Sequence, residues 1–84
     1  MDQATEIRDS VRAYILAEFL PGEDPSELRD DTPLITGGIL DSIATLKLVG
    51  HLEETYGIEL EAHEADLEHL NTISDISGLV QSKL

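Results

Sequence analysis

From Thr5 onward the apolar residues Ile7, Val11, Ile15 and Phe19 recur at every fourth position, while Arg8, Asp9, Arg12 and Glu18 fall between them. That spacing gathers the apolar side chains onto one stripe of a helix over Thr5 to Phe19, and Leu16 and Leu20 widen the stripe. Pro21-Gly22 ends it, because proline donates no hydrogen bond to the preceding turn and glycine tolerates the exit geometry. The next twenty residues, Pro21 to Leu40, hold all three prolines and three of the six glycines and show neither helical nor strand periodicity. They read as a long loop, anchored to a core by Leu28, Leu34, Ile35, Ile39 and Leu40. A loop of this length inside a compact domain is expected only where the segment is functional or packed by its own side chains.

Beyond the loop, Ile43, Leu46, Val49, Leu52 and Tyr56 follow at spacings of three, three, three and four. They predict the strongest helix of the chain, with these residues and Leu48 on its buried face. Asp41 or Ser42 can cap its start and Gly57 supplies its stop. Gly50 sits in mid-helix, where it costs about 1 kcal/mol relative to alanine, so something close-packed or close-docking is expected there. Between Ile58 and Leu70 the pattern weakens into a short acidic helical segment with Leu67 and Leu70 facing inward. A last helix starts at Thr72, which forms an approximate capping box with Asp75, and Ile73, Ile76, Leu79 or Val80, and Leu84 make its apolar stripe. Three main helices and one short one, with no strand signal, predict a small all-α four-helix bundle.

The 84 residues allow one domain, expected to span 1–84. Eighteen Asp and Glu against five Lys and Arg give a net charge of −13, which repels nucleic-acid backbones and anionic membrane surfaces and favours basic protein partners. No stretch approaches a membrane span and no secretory signal pattern opens the chain, so a cytoplasmic monomer is expected. With no cysteine, the polypeptide itself offers neither a disulfide, a zinc-thiolate site nor a thiol nucleophile.

The informative stretch is Gly37-Gly38-Ile39-Leu40-Asp41-Ser42-Ile43, where a loop delivers a serine to the start of the strong helix. Unpaired amides and the positive end of the helix dipole would meet a phosphate carried on Ser42 favourably. Ser42 has no histidine beside it and no Gly-x-Ser-x-Gly elbow around it, which argues against a hydrolytic nucleophile and leaves no catalytic residue to name. His51, His63 and His69 form no His-Glu-x-x-His motif; His63 and His69, six apart, point about 120° away from each other on a helix. The loop from Glu23 to Asp31 lacks the residue order of a calcium hand. No metal site is expected.

Gly38-Ile39-Leu40-Asp41-Ser42-Ile43, followed by the Leu46 to Tyr56 helix, resembles an acyl or peptidyl carrier protein. The likeness extends to Asp31-Thr32-Pro33-Leu34, to Leu52-Glu53-Glu54 and Tyr56-Gly57-Ile58, and to Thr72-Ile73, in family order along most of the chain. It implies the four-helix carrier fold and 4′-phosphopantetheine, taken from coenzyme A by a phosphopantetheinyl transferase, on Ser42. It also implies that Asp41 caps the helix and orients the transferase, while Ile43 and Leu46 dock partners beside the arm, with Lys47, Gly50, Glu53 and Glu54 on the same recognition surface. The thiol absent from the polypeptide then comes from the cofactor, and catalysis belongs to the partners: an ATP-dependent acyl or aminoacyl ligase and a downstream transferase or condensing enzyme.

Ala44 and Lys47 stand where fatty-acid carriers are commonly acidic, and Gly50 where they often have a bulky apolar residue. In this the chain is more similar to free-standing carriers of specialised pathways, aminoacyl carriers included. Two rivals stand beside the resemblance. One is an unmodified acidic interaction module in which Ser42 is only a cap. The other, a small hydrolase or metalloenzyme, lacks a positioned nucleophile and base.

Overall fold

The computed structural model describes residues 3–84. Its helices are α1 (Gln3–Phe19), α2 (Ser42–Tyr56), α3 (Leu67–Leu70) and α4 (Ile73–Lys83), with single 3-10 turns at Pro25–Glu27 and Ala62–Glu64. Among the described residues there is no strand. The all-α four-helix architecture matches the expected one, with α3 as the short member. Helix α1 begins two residues before Thr5, in a first turn that needs no apolar contact to form.

Ile7, Val11 and Ile15 of α1 are buried against Ile73, Ile76, Leu79 and Val80 of α4 and Leu70 of α3, and α1 makes its closest backbone approach to α4. Ser77 is also buried on α4, a polar residue that periodicity did not place in the core. Its small side chain permits the close approach, and its hydroxyl donates to the carbonyl of Ala4 at 3.4 Å. Both Leu79 and Val80 face inward, whereas Leu84 and Leu67, expected to join the apolar set, are about half exposed. Each fully buried Leu or Ile contributes roughly 1.5–3 kcal/mol. The aliphatic core therefore supplies most of the driving force for folding.

On α2 the buried residues are Ala44, Leu48 and Leu52, while Ile43 and Leu46 are 67% and 69% exposed. This corrects the face predicted from spacing. Three residues advance a helix by about 300°, so a run at steps of three drifts by about 60° per step and leaves the core face. The set at steps of four, Ala44-Leu48-Leu52, stays on it. Gly50 is exposed and a Cβ built there would meet nothing within 4 Å, so no close packing inside the chain explains it. The glycine that does permit a close approach is Gly37, where a Cβ would collide with the carbonyl oxygen of Pro33. Gly57 ends α2 in the left-handed region at φ 64°.

The long loop is held by its own anchors. Leu28, Leu34 and Leu40 are buried, and Ile35 and Ile39 pack partly buried against the core. Arg12 donates to the carbonyl of Leu28 and pairs with Asp30, while the amide of Ser74 donates to the carbonyl of Asp30. These contacts tie the loop to α1 on one side and to α4 on the other.

Candidate functional site

The site is built where the loop enters α2. Asp41 is the N-cap, in extended conformation, and its Oδ1 accepts the amide of Ala44 at 2.8 Å. Its carbonyl accepts both the amide and the hydroxyl of Thr45, at 2.9 and 2.8 Å. Ser42 is therefore the first helical residue, and its side chain is exposed. The amides of Ser42 and Ile43 have no acceptor within the helix and lie at the positive end of its dipole, an arrangement suited to a phosphodiester on the serine oxygen. Among the described residues no hydrogen bond joins a histidine to this serine. His51 stacks on Tyr14 with ring centroids 3.8 Å apart, and His69 pairs with Asp66 at 2.8 Å.

The segment before Ser42 is clamped by a residue that the sequence did not single out. Asn71 accepts the amides of Ile35 and Thr36 on its side-chain oxygen, at 3.0 and 3.1 Å, and the amide of Leu34 on its carbonyl at 2.6 Å. The carbonyl of Leu34 in turn accepts from Ile39 and Leu40, each at 2.9 Å. The turn preceding the serine is thus positioned by the α3–α4 junction. The available signal was slight: an Asn directly before the cap residue Thr72.

An open groove of about 570 Å³ adjoins Ser42, with Ile35, Leu40, Leu46, Ala65 and Leu67 supplying its apolar wall. Leu67, which the core does not take, is turned to this use. The groove places apolar surface beside the serine oxygen.

Of the expected partner-facing residues, Ile43, Leu46, Lys47, Gly50 and Glu54 share the exposed side of α2. Glu53 is half-buried and accepts the amide of Leu60 at 2.9 Å, so its carboxylate holds the segment after α2. Ala44 is only 8% exposed, so the lack of an acid there is a requirement of the core and not a change in the surface. Elsewhere, ligand atoms of Glu61, His63 and Glu64 lie within 4.8 Å of one another at the surface, and Glu64 is engaged by Lys83 at 2.7 Å. That contact holds the Lys83 amine above its ordinary value and the Glu64 carboxyl below.

A small helical bundle presenting an exposed serine at a capped helix start, beside an apolar groove, defines a carrier for a tethered prosthetic group. The family profile described as "Phosphopantetheine attachment site" matches residues 9–80, and the chain belongs to this family of phosphopantetheine-binding carrier proteins. Its cofactor is 4′-phosphopantetheine. The chain is 35% identical over 70 residues to the D-alanyl carrier protein of Lactococcus lactis subsp. cremoris, covering 83% of this chain and 89% of the relative. It is 32% identical over 84 residues to the acyl carrier protein of Thermotoga maritima, covering 100% and 99%. Among solved structures, a chain of the crystal structure named for an FAD-dependent dehydrogenase superposes with a TM-score of 0.75 at 30% identity, over 83% of this chain and 97% of that one. No helix among the described residues is long and apolar enough to cross a membrane.

Proposed function

We propose that Ser42 bears the phosphopantetheine arm and that the chain shuttles an acyl or aminoacyl group between a loading ligase and an unloading enzyme, itself performing no catalysis. The observation that carries the site is the exposed Ser42 hydroxyl on the first turn of α2, with Asp41 rather than Ser42 supplying the cap. The serine is thereby left free for modification. Its oxygen forms the new bond to the phosphorus that carries the pantetheine as the P–O bond of the coenzyme A pyrophosphate breaks, adenosine 3′,5′-bisphosphate leaves, and the serine proton passes to a base on the transferase. When bound, the group supplies a thiol that holds acyl or aminoacyl cargo as a thioester.

The residues around Ser42 have defined roles in this reading. The free first-turn amides and the helix dipole receive the phosphodiester, the Asn71 clamp sets the approach to α2, and the groove beside Leu46 and Leu67 shelters the tethered chain from water. Asp41 and Glu54 contribute to recognition by partners. The likeness to the D-alanyl carriers favours an aminoacyl cargo loaded with ATP in a specialised pathway. Partner contacts are weak and salt-sensitive, since exposed charges are screened over about 8 Å at physiological ionic strength. A cytoplasmic setting, where coenzyme A and ATP are at hand, fits this chemistry.

Incubation with coenzyme A and a phosphopantetheinyl transferase is expected to add the mass of the arm to the wild type and not to Ser42→Ala. A bare interaction module would give no mass gain in either. A second reading of the downstream partner is favoured by the structural relative named for an FAD-dependent dehydrogenase: a flavoenzyme that oxidises the carried group, whose C–H bond beside a thioester carbonyl is acidified. Bleaching of the flavin on adding loaded carrier, and not on adding bare carrier, tests it.

A further inference from the structure

Resting on the carrier reading, we infer that the outer face of α2 docks a partner enzyme whose surface sets a carboxylate beside an apolar pocket, the carboxylate pairing with Lys47. Four of the five Lys and Arg residues are taken up by acids of the chain: Arg8 by Asp30, Arg12 by Asp9 and Asp30, Arg29 by Asp31, and Lys83 by Glu64. Among the described residues Lys47 is the one such cation without an ion pair, in a chain with eighteen acidic side chains.

The sequence of α2 leaves it so. The positions three and four residues away, where a helical partner would have to stand, are Ile43, Ala44, Gly50 and His51. Glu54, on the same side, is two turns along, about 10 Å away by helical rise. Lys47 is therefore an exposed positive charge bordered by two exposed apolar side chains, Ile43 and Leu46, about one and a half turns along α2 from the attachment serine. Gly50, one turn further along, leaves a gap in the helix wall that nothing inside the chain fills. An apolar pair, a cation and a gap make a surface whose complement is an apolar pocket, a carboxylate and a close-lying backbone.

The net charge of −13 does not contradict this. Long-range steering responds to the whole molecule and draws in partners that are basic overall, but it is screened within about a Debye length of 8 Å. The group facing Lys47 acts at contact distance, where it sets register and selects among partners. A carrier with an acid in place of Lys47 would select the opposite charge.

The test begins with the arm. If the wild type gains no arm from coenzyme A and a transferase, the carrier reading itself fails; if it gains the arm, the Lys47 assignment is judged separately. The holo protein is then treated with a zero-length carbodiimide in an extract of its source cells, and the linked peptides are mapped. The expected product is an amide between Lys47 Nζ and an Asp or Glu of an enzyme that loads or unloads the thiol. With that enzyme purified, Lys47→Glu is expected to raise the KM for holo carrier by about tenfold or more at unchanged kcat, Lys47→Arg to leave it near wild type, and a charge-reversed enzyme carboxylate to restore Lys47→Glu. Helicity and melting of Lys47→Glu are measured alongside, its exposed position predicting little change. Absence of the amide, an amide to a second copy of this chain, or unchanged or improved loading of Lys47→Glu would overturn the inference.

Discussion

The side-chain oxygen of Asn71 accepts the backbone amide of Ile35 at 3.0 Å, joining the α3–α4 junction to the segment that leads into Ser42 across 36 positions of sequence. Asn71→Ala removes this acceptor and that of Thr36, and is expected to cost roughly 1–3 kcal/mol. Asn71→Asp keeps an acceptor oxygen in place and should cost less. Thermal melts of the two variants rank them; equal losses would show that the oxygen is not what holds the segment.

Asp41 combines a cap with a charge, and two substitutions separate them. Asp41→Ala is expected to lose about 1 kcal/mol of stability with the cap, whereas Asp41→Asn keeps an acceptor for the amide of Ala44 and stays near wild type. If both variants gain the arm slowly while only one is destabilised, transferase recognition reads the carboxylate charge. Denaturant melts paired with mass-gain rates make the comparison.

The rotation of α2 predicts opposite outcomes at two apolar positions within one turn. Leu48 is fully buried and Leu48→Ala is expected to cost about 2–5 kcal/mol, whereas Leu46→Ala, at an exposed position, should change stability by about 0.5 kcal/mol or less. Leu46→Ala is expected instead to weaken loading by partner enzymes. A large stability loss at Leu46 would contradict the orientation of the helix.

Gly50→Ala is expected to stabilise the protein by about 1 kcal/mol, because the added methyl meets nothing and helical alanine is favoured over glycine. For a domain of this size that raises the melting temperature by roughly 4–8 °C. Slower loading by a partner in the same, more stable variant would locate a close approach at this position.

The Asp66–His69 contact carries a pH dependence. Its hydrogen bond raises the imidazole above the ordinary histidine value and lowers the carboxyl below the ordinary carboxylate value. The histidine contribution is full below the unfolded value of about 6.5 and is lost as pH rises through the higher folded value. The carboxylate contribution is full above about 3.9 and is lost as pH falls through the lower folded value. The start of α3 is therefore best supported between about pH 4 and 6.5. An NMR titration should find the His69 midpoint above the ordinary value in the wild type and lower in Asp66→Asn, which retains a cap oxygen for the amide of His69.

Helices α1, α2 and α4, a cap at Asp41 or Ser42, the stop at Gly57 and the placement of Ser42 at the helix start were legible in the sequence, because each depends on neighbours within one or two turns. The carrier resemblance was legible for the same reason: its Asp-Ser-Ile run is a local feature of a loop meeting a helix. Which face of α2 meets the core was decided by the fold. Residues spaced by three drift around the helix, and only the position of the other helices selects Ala44, Leu48 and Leu52 over Ile43 and Leu46. The Asn71 clamp, the tether from Glu53 to Leu60, the close approach at Gly37 and the isolation of Lys47 likewise exist only once distant segments are brought together. Local preference writes helices, caps and the serine into the chain; burial, charge pairing and exposure belong to the assembled tertiary structure, because they depend on what lies opposite in space.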